Sequence, residues 1–243
     1  VLTFSTAKMK TAFTEKNKID VLIGQEIFEE QFRIDYNETR FFPIGITAER
    51  ALGNLSLGQP QIPTSNFQES RLLSFFGRVN YAYGDKFLFA ATLRADGSSK
   101  FAQGNKWGTF PSVSGAWRIS DENFMEGIRN TVSDLKLRAS YGESGNNRID
   151  NFLYLTQFGP NAFYGFNNAL EVGFSPVALA NENLRWETTI AKNIGLDAGF
   201  WGGRIQFSVD AYLNTTRDLL VEVPVPSTSG YTVQLQNVGE TSN

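Results

Sequence analysis

Charged side chains in this sequence keep to one side of a two-residue period. In GGRIQFSVDAYLN, residues 202–214, Ile205, Phe207, Val209, Ala211 and Leu213 alternate with Gln206, Ser208, Asp210, Tyr212 and Asn214. Such alternation marks a strand with two unlike faces. It recurs at 18–28, 72–83, 86–96, 111–119 and 135–141. There the mainly apolar set holds no charge, while the opposite set holds Asp20, Glu26, Arg78, Lys86, Arg94, Asp96, Arg118, Lys136, Arg138, Arg204 and Asp210. A slip of one residue would reverse every face, so register is tightly specified. Two environments fit the pattern: a soluble sheet laid on a protein core, or a membrane barrel with lipid on one side and water on the other.

Eight segments read as antiparallel strands: about 1–13, 18–32, 71–83, 86–97, 110–120, 134–142, 186–200 and 204–214. Their connections alternate in length, with short turns at 14–17, 84–85 and 201–203 and longer links at 33–70, 98–109, 143–185 and beyond 215. The link at 121–133 is moderate. Membrane barrels sort connections in this way, with tight periplasmic turns and long extracellular loops. Lys192 breaks the charge rule, sharing parity with Ile190 and Ile194. Roughly nine residues from the turn at 201 lift it about 20 Å, to the far edge of an apolar band, where an ammonium can snorkel. Tyr81, Tyr83 and Trp201 near short turns, and Trp107 and Trp186 near long loops, suit two interfacial aromatic girdles.

Composition removes most other classes. The 21 Phe and 22 Gly favour sheet and tight turns. With no Cys and no His, the chain lacks thiolate nucleophiles, imidazole bases and the commonest zinc ligands. A Ser-His-Asp arrangement cannot form, and no enzymatic activity, cofactor or metal site is expected. Asp96-Gly97-Ser98-Ser99 reads as a turn and not as a cation loop, because the spaced carboxylates are missing. A net charge of −3 gives no basic surface for nucleic acid. No apolar run is long enough for a helical membrane span.

Several segments in order carry a resemblance: FFGRVNYAYGDKFLFAATLRADGSSKF, NKWGTFPSVSGAWRIS, SDLKLRASYGESGN, NENLRWETT, NIGLDAGF and GGRIQFSVDAYLNTTRDLL. Together they resemble the barrel of the SusC/RagA family of TonB-linked outer-membrane transporters, over about 71–243, with 1–70 compatible but less distinctive. Ala95 stands where that pattern would lead one to expect a second basic residue. The resemblance implies an all-β, antiparallel transmembrane barrel segment, about eight strands of a barrel of about 22. Residues 1–243 are then expected to be an internal piece of the barrel domain, with signal peptide, TonB box and plug outside them. It also implies uptake of oligosaccharides or peptides in the outer membrane of a Gram-negative, Bacteroidetes-like cell. The implied partners are a SusD-like surface lipoprotein, TonB and outer-membrane lipid. A soluble β-sandwich carbohydrate-binding module is the alternative.

Candidate site residues fall in two groups. The loop at 143–185 carries rings and amides suited to stacking on and hydrogen-bonding a sugar or peptide: Asn146, Asn147, Tyr154, Phe158, Tyr164 and Phe166, with Asn167 beside them. Packing of the loop on itself is the competing use of the same side chains. Arg78, Arg94, Arg118, Arg138 and Asp210 are expected to line the lumen or meet a plug, or simply to be solvated there.

Overall fold

The structure is a computed structural model that describes residues 2–14 and 16–243. Its strands are β1 (Leu2–Thr14), β2 (Asn17–Tyr36), β3 (Thr39–Arg40), β4 (Gln59–Pro60), β5 (Thr64–Tyr83), β6 (Phe87–Ser98), β7 (Trp107–Arg118) and β8 (Val132–Asn146). They continue with β9 (Gln157–Phe166), β10 (Ala169–Ala178), β11 (Glu187–Phe200), β12 (Ile205–Arg217), β13 (Leu220–Pro224), β14 (Val233–Asn237) and β15 (Glu240–Ser242). One nine-stranded sheet runs in the order β1-β2-β5-β6-β7-β8-β11-β12-β15, with β1 antiparallel to β2 and each neighbouring pair from β5 to β15 antiparallel. All eight expected strands are in it. The remaining strands form three two-stranded pieces, so among the described residues no second large sheet faces the first. That leaves the sandwich alternative without support, since a sandwich buries its apolar rows between two sheets. Among the described residues no helix is long and apolar enough to cross a membrane.

The chain divides into two units. Residues 29–70 form the smaller one, with the outer reach of β2, the short β3–β4 pair and helix α1 (Ala48–Gly53), whose N-cap Thr47 accepts from Arg50 N–H. Ser70 Oγ donates to Glu30 within it. The larger unit holds the rest of the wall and the loops discussed below.

Within the wall, cross-strand pairing keeps the two parities apart. Phe207 faces Ala198, Val209 faces Leu196, and Leu196 faces Leu137. Tyr81 faces Phe89, and Phe87 faces Trp117 with stacked rings. This row is left open, with Ile23 64%, Phe89 52% and Phe207 56% exposed. A soluble monomer does not leave so continuous an apolar row in water, whereas hydrocarbon accepts it. Towards the loop end the row becomes mixed: Lys192 lies between Tyr141 and Leu213, and beyond it Ile190 sits beside Glu143 and Thr215. Of the aromatic residues expected at the interfaces, Trp107, Tyr83 and Trp201 are each about half exposed and Tyr81 is half-buried, whereas Trp186 is buried among loop side chains and cannot face an interface.

Turn chemistry sets the short ends. Trp201, Gly202 and Gly203 all have positive φ, and Gly203 N–H closes the turn onto Phe200 C=O at 3.1 Å. Two glycines of three let the chain reverse there without steric cost. One connection departs from the expected sorting. Residues 119–131 lie at the same end as these turns, yet they outrun the 99–106 link at the opposite end. They do so compactly, as 3-10 turns at Ile119–Asp121 and Asn123–Ile128, with Met125 and Ser120 buried. Glu122 clamps them to the wall by accepting from Lys86 Nζ at 3.1 Å and Trp117 Nε1 at 3.2 Å.

Candidate functional site at the loop end

The polar face of the wall is a network of paired charges. Arg94 donates to Asp96 at 2.7 Å, to Glu26 at 3.0 Å and to Ser74 at 2.9 Å, with the Phe76 ring beneath it. Arg138 reaches Asp197 at 2.8 Å and Asp210 at 3.2 Å, and Lys136 adds a second cation on Asp197. Asp96 thus serves as an arginine partner. Arg78 donates to Thr92 at 3.1 Å, and Arg118, at its strand end, pairs with Asp121 of the adjoining link at 3.8 Å. Near the turn end the same face carries a hollow of about 780 Å³ lined by Lys10, Asp20, Asn80, Ser114, Arg138 and Asn193.

The loops at the other end are folded and share a core. Phe110 rises from β7 to meet Phe101, Ile149, Leu184 and Trp186, with Leu72, Leu153, Leu220 and Leu235 packed around them. Trp186 meets Phe110 edge-on, with centroids 5.5 Å apart, and its indole N–H donates to Lys106 C=O at 2.9 Å. Each fully buried large apolar side chain contributes on the order of 1.5–3 kcal/mol.

The segment 181–187 stitches this assembly together. Asn181 Nδ2 donates to Leu235 C=O, Arg185 pairs with Asp218 at 2.6 Å, and Glu187 accepts from Leu220 N–H and from Asn146 Nδ2. Asn237 Nδ2 donates to both Arg185 C=O and Asp218 C=O. The alternation that reveals wall strands says nothing about such cross-loop bonds, so these positions carried only a sequence resemblance.

The loop residues singled out from sequence separate accordingly. Asn146 is tied to Glu187, and Asn147 donates to the buried Ser98 hydroxyl at 3.1 Å. Both amides are structural. Asn167 and Asn168, each with positive φ, form the two-residue turn of the β9–β10 hairpin. Asparagine tolerates that conformation, and the Asn-Asn pair was the signal for a hairpin inside what read as a plain loop. Phe158, Tyr164 and Phe166 are exposed on this hairpin, and Tyr154 is half-buried before it.

Between the base of that hairpin and the β13–β14 hairpin lies a cavity of about 660 Å³. Leu153 and Leu235 contribute apolar walls, with Arg148, Asp150, Glu222 and Tyr231 also lining it. Arg148, Asp150 and Glu222 hold no ion pair among the described residues.

Comparison with known proteins places this architecture. The family model described as "TonB dependent receptor-like, beta-barrel" matches residues 5–243. The TonB-dependent receptor P26 of Formosa agariphila is 38% identical over 98% of this chain and 24% of its own length. The TonB-dependent receptor SusC of Bacteroides thetaiotaomicron is 42% identical over 74% of this chain and 18% of its own. The solved structure of the RagAB peptide transporter superposes with a TM-score of 0.82 at 31% identity, covering 99% of this chain and 26% of that one. The siderophore receptor PirA from Pseudomonas aeruginosa, with a TM-score of 0.55 at 12% identity, shares the fold alone. The chain spans about a quarter or less of the length of these curated relatives. They are receptors and transporters, not enzymes. A one-sided wall of long antiparallel strands, open at its edges and crowned at one end by a stitched loop core, belongs to the TonB-dependent receptor β-barrel family, of which this chain is a SusC/RagA-like barrel segment.

Proposed function

We propose that this segment forms part of the wall and the surface loops of a receptor that imports oligosaccharides or peptides across the outer membrane. A SusD-like lipoprotein would cover the loop end, and TonB would act through a plug held inside the barrel. Family membership together with the loop-end architecture carries the reading: the apolar row faces outward to lipid, and an internally stitched platform stands where cargo would arrive. The turn end is then periplasmic and the loop end faces the medium. Arg78, Arg94, Arg118, Arg138 and Asp210 are assigned to the lumen side, where the paired networks suit a wetted wall against which a polar plug can rest. Because the amides of Asn146 and Asn147 are engaged internally, cargo contact falls to the rings of Tyr154, Phe158, Tyr164 and Phe166.

The test is uptake by cells carrying the full-length receptor, supplied with labelled peptides and labelled oligosaccharides. Accumulation of one class that stops when TonB is deleted is expected. Accumulation that is indifferent to TonB would contradict the proposal.

A further inference from the structure

We infer that Gly24 and Gly195 are gaps kept in the wall so that side chains can pass over them and tie together strands two apart, and that these ties set the curvature of the wall. The inference rests on the lumen assignment above.

Both glycines lie on the charged face and both are buried; Gly24 is the only buried residue of β2. A side chain from the neighbouring strand covers each. At Gly195, on β11, the register places Arg138 of β8 on one side and Asp210 of β12 on the other. The Arg138 guanidinium crosses the gap and donates to Asp210 at 3.2 Å. A Cβ at 195 would overlap Asp210 Oδ1 and come within 2.8 Å of Arg138 Nη2, so a side chain there obstructs the crossing. Asp197 of the middle strand anchors the guanidinium at 2.8 and 2.9 Å, and Ser208 Oγ donates to Asp197 at 2.8 Å. At Gly24 the crossing group is the Phe76 ring of β5, which a Cβ at 24 would overlap. Past the glycine that ring meets Phe4 of β1, with centroids 5.7 Å apart. Arg94 repeats the step one strand over: from β6 it bonds the fully buried Ser74 of β5 at 2.9 Å and reaches Glu26 of β2 at 3.0 Å.

Backbone pairing sets neighbouring strands about 4.8 Å apart, but does not by itself fix the angle at which one pair turns from the next. Strands two apart lie about 10 Å from each other in a flat sheet, and a tie between them across one face draws that face concave. A side chain on the middle strand would be a wedge against that bend, and glycine removes the wedge. The ties occupy the face assigned to the lumen, the concave side of a barrel, so they brace the bore from within.

The experiment uses the full-length receptor in bilayers, with spin labels at Leu137 and Val209. Both positions face Leu196 on the outward row, so the labels stand two strands apart on the convex side of the Arg138 tie. Releasing the tie flattens the sheet and brings these labels closer, which strengthens their dipolar broadening. Arg138→Gln removes the tie without adding bulk and should broaden the spectrum. Gly195→Ala should broaden it too, and the double variant no further than the larger of the two, because both changes remove one tie. Asn193→Ala, at the inward position next along β11, should leave the spectrum unchanged. Heat-resistant gel mobility identifies the folded barrel in each case, and Arg138→Gln alone decides the matter if Gly195→Ala does not assemble. An unchanged or narrowed spectrum in Arg138→Gln, a double variant that exceeds both singles, or equal broadening in Asn193→Ala would overturn the inference. Transport is not read in this experiment, so such a result leaves the import proposal standing, while uptake indifferent to TonB would remove that proposal and leave the ties in place.

Discussion

Phe110 shows how much of the loop end depends on single side chains. A Cβ at Gly145 would lie 2.0 Å from the tip of its ring, and one at Gly108 only 2.4 Å away. Gly145→Ala therefore requires Phe110 to leave its position against Trp186, with overpacking of about 1–3 kcal/mol as the cost. Limited proteolysis of the full-length receptor should cut 147–186 faster in this variant. Cutting at the wild-type rate would show that Phe110 does not organise the loops. Glu122 makes a second prediction at the turn end. Hydrogen bonds from Lys86 and Trp117 hold its carboxyl below the ordinary value of 4.5. A depressed carboxylate stabilises fully above its unfolded value and loses that contribution as pH falls through the folded one. Trp117 fluorescence should stay constant from neutral pH to about 4.5 and change below it. Glu122→Gln should remove that step, and a step that survives in the variant would assign it to another group. At this scale the sequence was partly legible: the parity of Arg94, Arg138 and Asp210 was plain, but their partners across strands were not. Trp186 misled because nearness to a strand end does not say which way a ring turns.

Whole strands were the most legible feature, since each repeats one rule over many residues. Lipid should enforce that rule. Ala211, opposite Ile194, lies near the middle of the outward row. Ala211→Arg should cost about 2–4 kcal/mol in barrel stability, whereas Gln206→Arg on the opposite parity should cost little. Urea titration of the full-length receptor in bilayers would read the difference, and equal losses would contradict the assignment of faces. The hairpins were less legible. In β9–β10 both faces leave large apolar side chains exposed, among them Phe163, Tyr164 and Phe174, so no clean alternation betrays the strands. In β13–β14 the strands are short, β13 ends on Pro224, and Pro226 and Gly230 lie in the turn between them. The 119–131 link escaped the length rule because it coils back on Met125 instead of reaching outward.

At the level of the molecule, wall and loops are separable in their energetics. The wall is held by registered backbone pairing and by lipid; the loop assembly is held by its own core and by the 181–187 stitches. Leu184 is fully buried in that core. Leu184→Ala should cost the loops about 2–5 kcal/mol. Protease sensitivity should rise there while the heat-resistant mobility of the folded barrel on gels persists, and joint loss of both would show that the parts are coupled. The whole account rests on which row meets hydrocarbon, and paired spin labels at Phe207 and Gln206 in the full-length receptor, reconstituted in bilayers, measure that directly. The account predicts that oxygen relaxes the label at 207 more strongly and a water-soluble nickel chelate the label at 206; equal accessibility of both labels to the two reagents would contradict it.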